Sequence, residues 1–549
     1  MIRRRASLHG AALLAGLCGL LAAPALRADG SGRQAGANVR LNDPQLSLPF
    51  GQLGRVGMAV AASPDGTQIL AGWDDVQGMC GPPMGRPCPP ESTPGLTGVG
   101  YSTDGGRTWT DLGAPPTAAG FMTGGHVWID RGGADNQTFF VLSRARKLDD
   151  PGPLGQIGFV LNRGRFENGA FVWTDSQYLA PAKQGDLWRG PTLVAAKDGS
   201  GRVFMALSNS QALCGEPTTG SGQIEVLRSA DGGTTWEGPV IAGRDETYVT
   251  VAGDLSCAAR GRFQASPSIA LGPWGEIYVT WQYGPPFQLY YDPIWQETPP
   301  TAAAAFSRSL DGGRSFSLPR ILTTTNSMIE NQPAGFNKDL MNDIPRLAVA
   351  TAGPHRGRLY VTYASAVREV HCTSYYFGPK DYSPASSQTW LIWSDDRGES
   401  WSAAVPLGPP LPPAGVKRFF PAIATGPDGT VDVIYLESRE AQFTADPHDL
   451  ECPTPTPVGY FRMGRAHSLV DLMWVRSTDG GASFGPPVRV TSQTSDWCAT
   501  QADIAGFLFP NFGDFVGLSA GRDRSYAIWT DGRNGVPDAY FATLGERAP

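Results

Sequence analysis

The chain has 549 residues, among them 69 Gly and 47 Pro, a density that breaks helices and excludes a helical bundle. Its 41% hydrophobic content, with 15 Trp, 16 Tyr and 24 Phe, excludes a disordered chain, which would lack aromatics to bury. A net charge of -7 excludes nucleic acid as the main partner, because phosphate binding needs a basic surface.

Residues 1–28 read as a secretory signal peptide: a run of Arg3, Arg4 and Arg5, an apolar Leu/Ala stretch over 11–23, then small residues at Ala23, Ala25 and Ala28. The arginine run leaves a twin-arginine route open. Leu17 before Cys18 argues against a lipid anchor. No later stretch holds the ~18 uninterrupted apolar residues of a membrane-spanning helix. The expected location is therefore periplasmic or extracellular. After the leader come Cys80, Cys88, Cys214, Cys257, Cys372, Cys452 and Cys498. An oxidising compartment permits disulfides, and the odd count leaves at least one thiol free or paired with another chain. The expected pairs are Cys80–Cys88, Cys214–Cys257 and Cys372–Cys452, leaving Cys498, with Cys452–Cys498 as an equal alternative.

An N-terminal segment, 29–54, carries one β-type run at 39–41. From residue 55 to 546 a strand, a Gly turn and a second strand recur at 58–73, 127–142, 192–207, 268–281, 347–363, 422–435 and 515–530, and a third strand at 539–544 ends the series. An octapeptide, S-x-D-x-G-x-[ST]-[WF], recurs five times, at 102–109 (STDGGRTW), 229–236 (SADGGTTW), 309–316 (SLDGGRSF), 394–401 (SDDRGESW) and 477–484 (STDGGASF). It reads as a hairpin connector. The Asp accepts backbone N–H bonds inside its own turn, the glycines supply positive φ, and the aromatic packs beneath. A degenerate unit spans 157–175, with NRGRFENG at 162–169 in the place of the turn. Units of roughly four strands each predict an all-β fold, a β-propeller of seven four-stranded antiparallel blades, with six as the alternative. The last unit lacks an outer strand, and 39–41 is expected to supply it and close the ring, which removes exposed sheet edges.

The octapeptide is that of the Asp box, or bacterial neuraminidase repeat. The chain resembles the Asp-box propeller superfamily, which includes sialidases, over nearly all its mature length. The resemblance implies boxes between the third and fourth strands of a blade, on the face away from the active site, with a structural role. Sialidases have six blades, which is the source of the alternative count.

A propeller gathers on one face the starts of its first strands, the ends of its second strands and the loops between second and third strands. Such loops are long here, at 76–98, 284–303, 364–388 and 438–470, and no cysteine falls in an octapeptide. Long ordered insertions on one side suggest a built binding surface, or equally a protected one. Aligned first strands place Arg55, Arg189, Asp343, Arg346, Arg418 and Asp514 near the channel mouth, with His126 at the corresponding place in the second unit. Arginines converging from several blades suit a carboxylate, which they hold by bidentate pairing. Sialidases hold their acidic sugar in this way and add an Asp as acid/base and a Tyr nucleophile activated by a Glu. The resemblance assigns those catalytic roles to Asp74, Tyr435 and Glu437. The chain departs from that family at three points. The F/Y-R-I-P motif is absent, with GRVG at 54–57; Asp74 and Asp75 stand where a second arginine belongs; and no arginine precedes the boxes in AAAF (303–306) or TWLI (389–392).

Tyr290, Tyr291, Trp295, Tyr375, Tyr376 and Tyr382 suit stacking on sugar rings or packing on the rim. Asp531 and Asp538 flank an Asn-Gly turn, which fits a hairpin better than Ca²⁺, an ion that needs six or more oxygen donors. No zinc spacing occurs, so no metal or other cofactor is expected. The functional expectation is a secreted monomer that binds an extracellular glycan or protein ligand through its loop-rich face. The alternative is a sialidase-like glycoside hydrolase acting on a sialoside or another acidic sugar.

Overall fold

A computed structural model describes residues 32–43, 54–75, 95–117, 119–147, 158–181, 186–211, 222–244, 262–286, 301–326, 344–367, 386–410, 412–413, 415–440, 467–500, 502–504, 507–509 and 515–546. Inner strands in this chain are apolar on both faces, as Arg55–Ala62 and Ile69–Asp75 show with almost every residue buried. A strand reads this way when sheets cover both its sides. Outer strands such as Thr110–Gly113 are polar and mostly half-exposed. The graded pattern, apolar inside and polar outside, is that of sheets packed face to face around an axis.

The sheets follow one another along the chain. The first consists of Arg55–Ala62, Ile69–Asp75, Thr97–Ser102 and Thr110–Gly113. The second holds Phe121–Thr123, Trp128–Gly132, Thr138–Lys147, Gly158–Glu167 and Ala170–Leu179. The third holds Asp186–Ala195, Val203–Gln211, Gly222–Ser229 and Glu237–Gly243, and the fourth Arg262–Leu271, Ile277–Pro286, Thr301–Ser309 and Arg320–Asn326. A nine-stranded sheet runs from Arg346–Val349 to Ser495–Asp496. The last sheet joins Gly517–Ala520, Ser525–Asp531 and Asp538–Glu546 to two N-terminal strands, Arg33–Ala35 and Val39–Arg40.

The fold is an all-β propeller, but the expected seven separate blades, or six, are not what the topology gives. Five sheets of four or five strands stand alone, nine strands share one sheet, and Ala502–Ile504 pairs with Phe507–Phe509 in a separate two-stranded ribbon. The physical reason is one parallel pair, Ser387 with Lys417. The Ser387 hydroxyl donates to the Arg418 carbonyl at 3.0 Å and accepts its N–H at 2.9 Å, which ties two antiparallel meanders together. Those meanders also stack face to face through Tyr360, Leu391, Ile423, Val433 and Tyr435.

The ring closes. Asp130 of the second sheet accepts the Ala195 N–H of the third at 2.8 Å. Ser268 of the fourth accepts the Leu347 N–H of the nine-stranded sheet at 3.1 Å, and Asp432 of that sheet accepts the Ser525 hydroxyl of the last at 2.6 Å. Arg55 N–H donates to the Pro537 carbonyl at 3.0 Å, joining first and last. The N-terminal segment laces this seam. Val39 and Arg40 pair with Phe541 and Tyr540, Asn38 reaches the Val490 carbonyl at 2.9 Å, and Asp43 N–H meets Asp111 at 2.9 Å.

All five octapeptides fold alike, at the end of a third strand opposite the channel mouth. In the first, Ser102 Oγ donates to Asp104 Oδ1 at 2.8 Å and accepts the Gly106 N–H at 2.9 Å. Asp104 Oδ1 accepts the Arg107 and Thr108 N–H groups at 2.9 Å each, and Oδ2 the Thr108 hydroxyl at 2.6 Å. The Trp109 indole donates back to the Gly106 carbonyl at 3.1 Å. Gly106 has φ +88°, and a Cβ there would meet the Phe541 ring at 2.1 Å, so only glycine lets the turn sit on the neighbouring sheet. Such hydrogen bonds favour the ionised carboxylate. The Thr235 hydroxyl foremost holds Asp231 down at about 2, and the Ser400 hydroxyl does the same for Asp396.

The degenerate unit differs from its expectation. Most of 162–169 is strand, and the turn is Asn168 and Gly169 alone, with φ 51° and 81°. That is a two-residue hairpin whose twist matches the strands. Among the described residues no helix is long and apolar enough to cross a membrane.

Candidate functional site

The inner strands share one irregularity near the channel mouth. In the first sheet the register jumps between Val56–Asp74 and Ala59–Gly72, so Gly57 and Met58 together face Trp73. The third sheet jumps at Gly190 and Pro191 opposite Leu207, the fourth at Ser266 and Pro267 opposite Trp281, and the nine-stranded sheet at Phe420 and Pro421 opposite Tyr435. Each extra residue makes a β-bulge, which re-aims the strand. The leading bulge residue is left-handed every time: φ is 65° at Gly57, 52° at Gly190, 52° at Ser266 and 49° at Phe420, while His126 in the second sheet has 54°. Three of the five are not glycine. Left-handed conformations held by non-glycine residues concentrate at functional sites, which makes this end of the axis the candidate surface. The proline that follows in three cases has no N–H to leave unpaired.

This repeat explains the placing of the predicted residues. Two before the bulge stand Arg55 and Arg418; two after the opposing core residue stand Asp75 and Glu437. Each pair meets across the strands. Arg55 Nε lies 3.6 Å from Asp75 and Arg55 Nη1 3.8 Å from Asp538. Arg418 Nε donates to Glu437 Oε2 at 2.9 Å, and its Nη1 to Gln388 Oε1 at 2.6 Å and the Pro409 carbonyl at 2.7 Å. Both guanidinium groups are buried and neutralised inside the chain. They do not converge as a clamp. Tyr435 corresponds to Trp73 and Trp281, the residue under the bulge. It is 0% exposed, and burial foremost pushes its phenol well above the ordinary value. A nucleophile needs access and a lowered pKa; Tyr435 has neither, and Glu437 is engaged by Arg418.

Asp74 does face the mouth. It is half-buried, its Oδ1 accepts the Val127 N–H at 3.3 Å, and the Cα positions of Gly57 and Gly125 crowd its carboxylate so closely that a Cβ on either would lie about 3 Å or less away. Arg346 opens the inner strand of the nine-stranded sheet and is 8% exposed. Its guanidinium carbon lies 4.4 Å from the ring centre of Phe515, which leads into the last sheet, and 5.6 Å from that of Trp128 in the second. Reaching both takes it across the axis. Among the described residues no carboxylate pairs with it, and burial alone pushes its pKa down to about 10. Phe515 also packs edge-on against His126 (6.4 Å) and Phe420 (6.2 Å), and its carbonyl accepts the Met58 N–H at 3.2 Å.

Arg189 lies in the inner strand Asp186–Ala195, opposite Ser208 in register and just before the Gly190 bulge. Asp343, Asp514, the six loop tyrosines and tryptophan named above, and every mature cysteine except Cys498 lie outside the described residues. Asp531 and Asp538 are held by Arg533 and by Arg40, respectively. Among the described residues no group of three or more His, Cys, Asp or Glu is placed to hold a metal. Sequence reading missed Trp128, Phe515 and Ser266. The recurrent residue–Pro pairs at 190–191, 266–267 and 420–421 are the signal that points to the last of these.

No protein-family model matches the chain, and no curated protein matches it. Among solved structures, an α-L-arabinanase of Penicillium chrysogenum is similar at 16% identity, with 73% of this chain and 94% of that one covered and a TM-score of 0.41. A Trypanosoma rangeli sialidase is similar at 13%, covering 70% and 53%, with a TM-score of 0.38. The NanB sialidase of Streptococcus pneumoniae is similar at 10%, covering 91% and 86%, with a TM-score of 0.36. Likenesses of this size decide neither activity nor ligand, and the propeller rests on the sheet topology itself.

Proposed function

We propose that the chain is an exported propeller that binds an extracellular glycan or protein ligand at the mouth of its axial channel. The observation that carries this reading is the set of left-handed bulges, near which Asp74, His126, Trp128, Arg346, Phe420 and Phe515 come from four sheets to one end of the axis. A packed structural channel needs no such strain. Arg189 belongs to the same mouth by its place just before the Gly190 bulge. We read the five octapeptides as Asp boxes, residues 1–28 as the leader and 29–54 as the closing segment. Export is supported by Cys498, which is buried and disulfide-bonded.

The second reading, a sialidase-like hydrolase of an acidic sugar, is favoured by Asp74 alone, a half-buried carboxylate that we read as its acid/base. A glycan array probed with the purified chain tests the first reading, with bound glycans expected. Release of 4-methylumbelliferone from its sialoside, abolished by Asp74→Ala, establishes the second. A chain that neither binds a glycan or extracellular protein nor hydrolyses removes both.

A further inference from the structure

We propose that the end of the ring opposite the mouth docks on a phospholipid membrane through a surface centred on Trp274, Leu310 and Arg397. Three departures from the chain's own repeat occur there. The turn between first and second strands reads Pro64-Asp65-Gly66 in the first sheet and Pro427-Asp428-Gly429 in the nine-stranded sheet, but Pro273-Trp274-Gly275 in the fourth. Asp65 and Asp428 close their turns by accepting the Thr67 and Thr430 N–H groups at 3.2 and 3.0 Å. In the fourth sheet Glu276 accepts the Trp274 N–H at 3.1 Å instead, and the tryptophan is 57% exposed. The second residue of the octapeptide is Thr103, Ala230, Asp395 or Thr478 in four copies, and Leu310, 56% exposed, in the fourth sheet. Its fourth residue is glycine in every copy but one. There Arg397 holds a left-handed φ of 60° without glycine's freedom. Single exposed apolar residues are ordinary; three replacements of the repeat's own residues at one end are not.

The replaced residues lie together. The Arg397 and Arg356 guanidinium carbons are 5.4 and 5.5 Å from the Trp274 ring centre. A Cβ on Gly357 would meet the indole at 2.6 Å, so the ring rests on the neighbouring sheet. Turn and octapeptide adjoin at this end: the Gly105 N–H donates to the Thr67 carbonyl at 3.0 Å in the first sheet, and the Gly232 N–H to the Gly201 carbonyl at 2.8 Å in the third. The same construction sets Leu310 beside the Trp274 turn, and Leu318, just past the octapeptide, is 77% exposed.

Charge selects the occupant. Arg314 and Arg356 are exposed. The carboxylates beside them are engaged: Glu276 by Arg397 at 3.1 Å, Asp395 by Arg358 at 2.7 Å and Glu399 by Arg320 at 2.7 Å, with Asp311 and Asp396 inside their own turns. Apolar side chains among guanidinium groups suit a lipid surface, where rings and leucines enter the headgroup boundary and arginines meet phosphate. A second copy fits less well, because a twofold pairing would set the same arginines against one another. The chain carries -7 overall, so attraction to anionic lipid is confined to this end and sets the orientation. One consequence rests on the reading of the mouth as the ligand site: that site then faces away from the membrane.

Flotation with phosphatidylcholine–phosphatidylglycerol vesicles tests the surface. The triple variant Trp274→Asp, Leu310→Thr, Arg397→Gly restores the residues of the other repeats, and Val172→Thr, at an exposed position of the second sheet's outer strand, is the control. The wild type is expected to float, less so as salt rises. The triple variant should lose about tenfold or more of that partition, and Val172→Thr should keep it. A wild type that does not float, a triple variant that floats as well, or an equal loss in the control overturns the proposal. So does self-association of the lipid-free wild type that the triple variant abolishes in sedimentation velocity, which gives the surface to a second copy. Should the triple variant fail to fold, hydrogen–deuterium exchange of the vesicle-bound wild type decides: slowed exchange at 272–276 and 309–318 is expected, and slowing confined to the mouth refutes the proposal. A failed glycan array leaves each of these outcomes as it is.

Discussion

Glu437→Gln separates a structural from a catalytic carboxylate. The Arg418 and Glu437 side chains are 5% and 12% exposed, and their Nε–Oε2 contact is 2.9 Å. Unit charges about 4 Å apart attract by about 4 kcal/mol at an effective dielectric of about 20. The amide keeps one oxygen for Nε, and Gln388 and the Pro409 carbonyl still hold Nη1, so the expected loss is about 2–4 kcal/mol. Arg418→Met leaves Glu437, among the described residues, with Arg439 at 3.8 Å, itself 42% exposed, and the cost rises to about 3–5 kcal/mol, as for any buried charge stripped of its partner. The double variant should recover about 1–2 kcal/mol of the summed losses, the signature of coupled neighbours. Unfolding entropy of about 2 cal/mol/K per residue gives about 1 kcal/mol/K for a chain of this length. If the ring melts as one unit, the glutamine variant should therefore melt about 2–4 °C early. Urea unfolding and calorimetry read both quantities. A glutamine variant that unfolds like the wild type yet loses hydrolysis or ligand binding refutes the structural assignment and returns Glu437 to the site.

Other outcomes follow from the same geometry. Asp432 accepts from the Trp474 indole at 2.8 Å, from Arg476 Nε and Nη2 at 2.8 and 2.7 Å, and from the Ser525 hydroxyl of the neighbouring sheet at 2.6 Å; Asp432→Ala removes the carboxylate that these three donors share and should cost about 3–5 kcal/mol in denaturant unfolding. Asp231, Asp396 and Asp479 are held at about 2, below the unfolded value, so the stability they contribute is present above about pH 4 and should be lost as acid titration falls toward pH 2. Asp479→Ala should flatten that acid limb of the melting curve. Asp111 behaves oppositely. Burial foremost pushes it up to about 6, so the folded state holds its proton more tightly and stability should fall as pH rises from about 4 through 6. Asp111→Asn should remove that fall and raise the melting temperature at pH 7, measured by thermal scans across the range; a lower melting temperature there contradicts the reasoning.

The propeller was legible because its signal is local and repeated. The octapeptide fixes a turn from eight adjacent residues, and Ser102, Asp104 and Thr108 bond only to one another and to the backbone between them. The ring-closing strand at 39–41 was legible too, as a lone β-type run placed to pair with 539–544. The site was less so. Arg55, Arg346 and Arg418 look alike in sequence, each near the start of an inner strand, yet two are neutralised by a carboxylate that register alone brings opposite, and one meets no carboxylate among the described residues. Which arginine meets which acid depends on an extra residue at the bulge, and a one-residue change of register moves every later side chain to the other face. Tyr435 and Glu437 suggested chemistry because alternate residues share a face; the bulge shows that this position belongs to Trp73 and Trp281 in the neighbouring repeats. The nine-stranded sheet was invisible for another reason, since a single parallel pair leaves no periodic trace.

The most direct test of the channel mouth as the binding surface is an equilibrium titration of an array-identified ligand against Phe515→Ala and Trp274→Ala. Phe515 touches His126, Arg346 and Phe420 at the mouth. Trp274 is 57% exposed in the turn between Arg262–Leu271 and Ile277–Pro286, at the opposite end of the ring. At least a tenfold loss of affinity is expected from Phe515→Ala, with Trp274→Ala within twofold of the wild type. The reverse pattern, binding lost at Trp274 and kept at Phe515, would place the ligand on the other face and contradict the account.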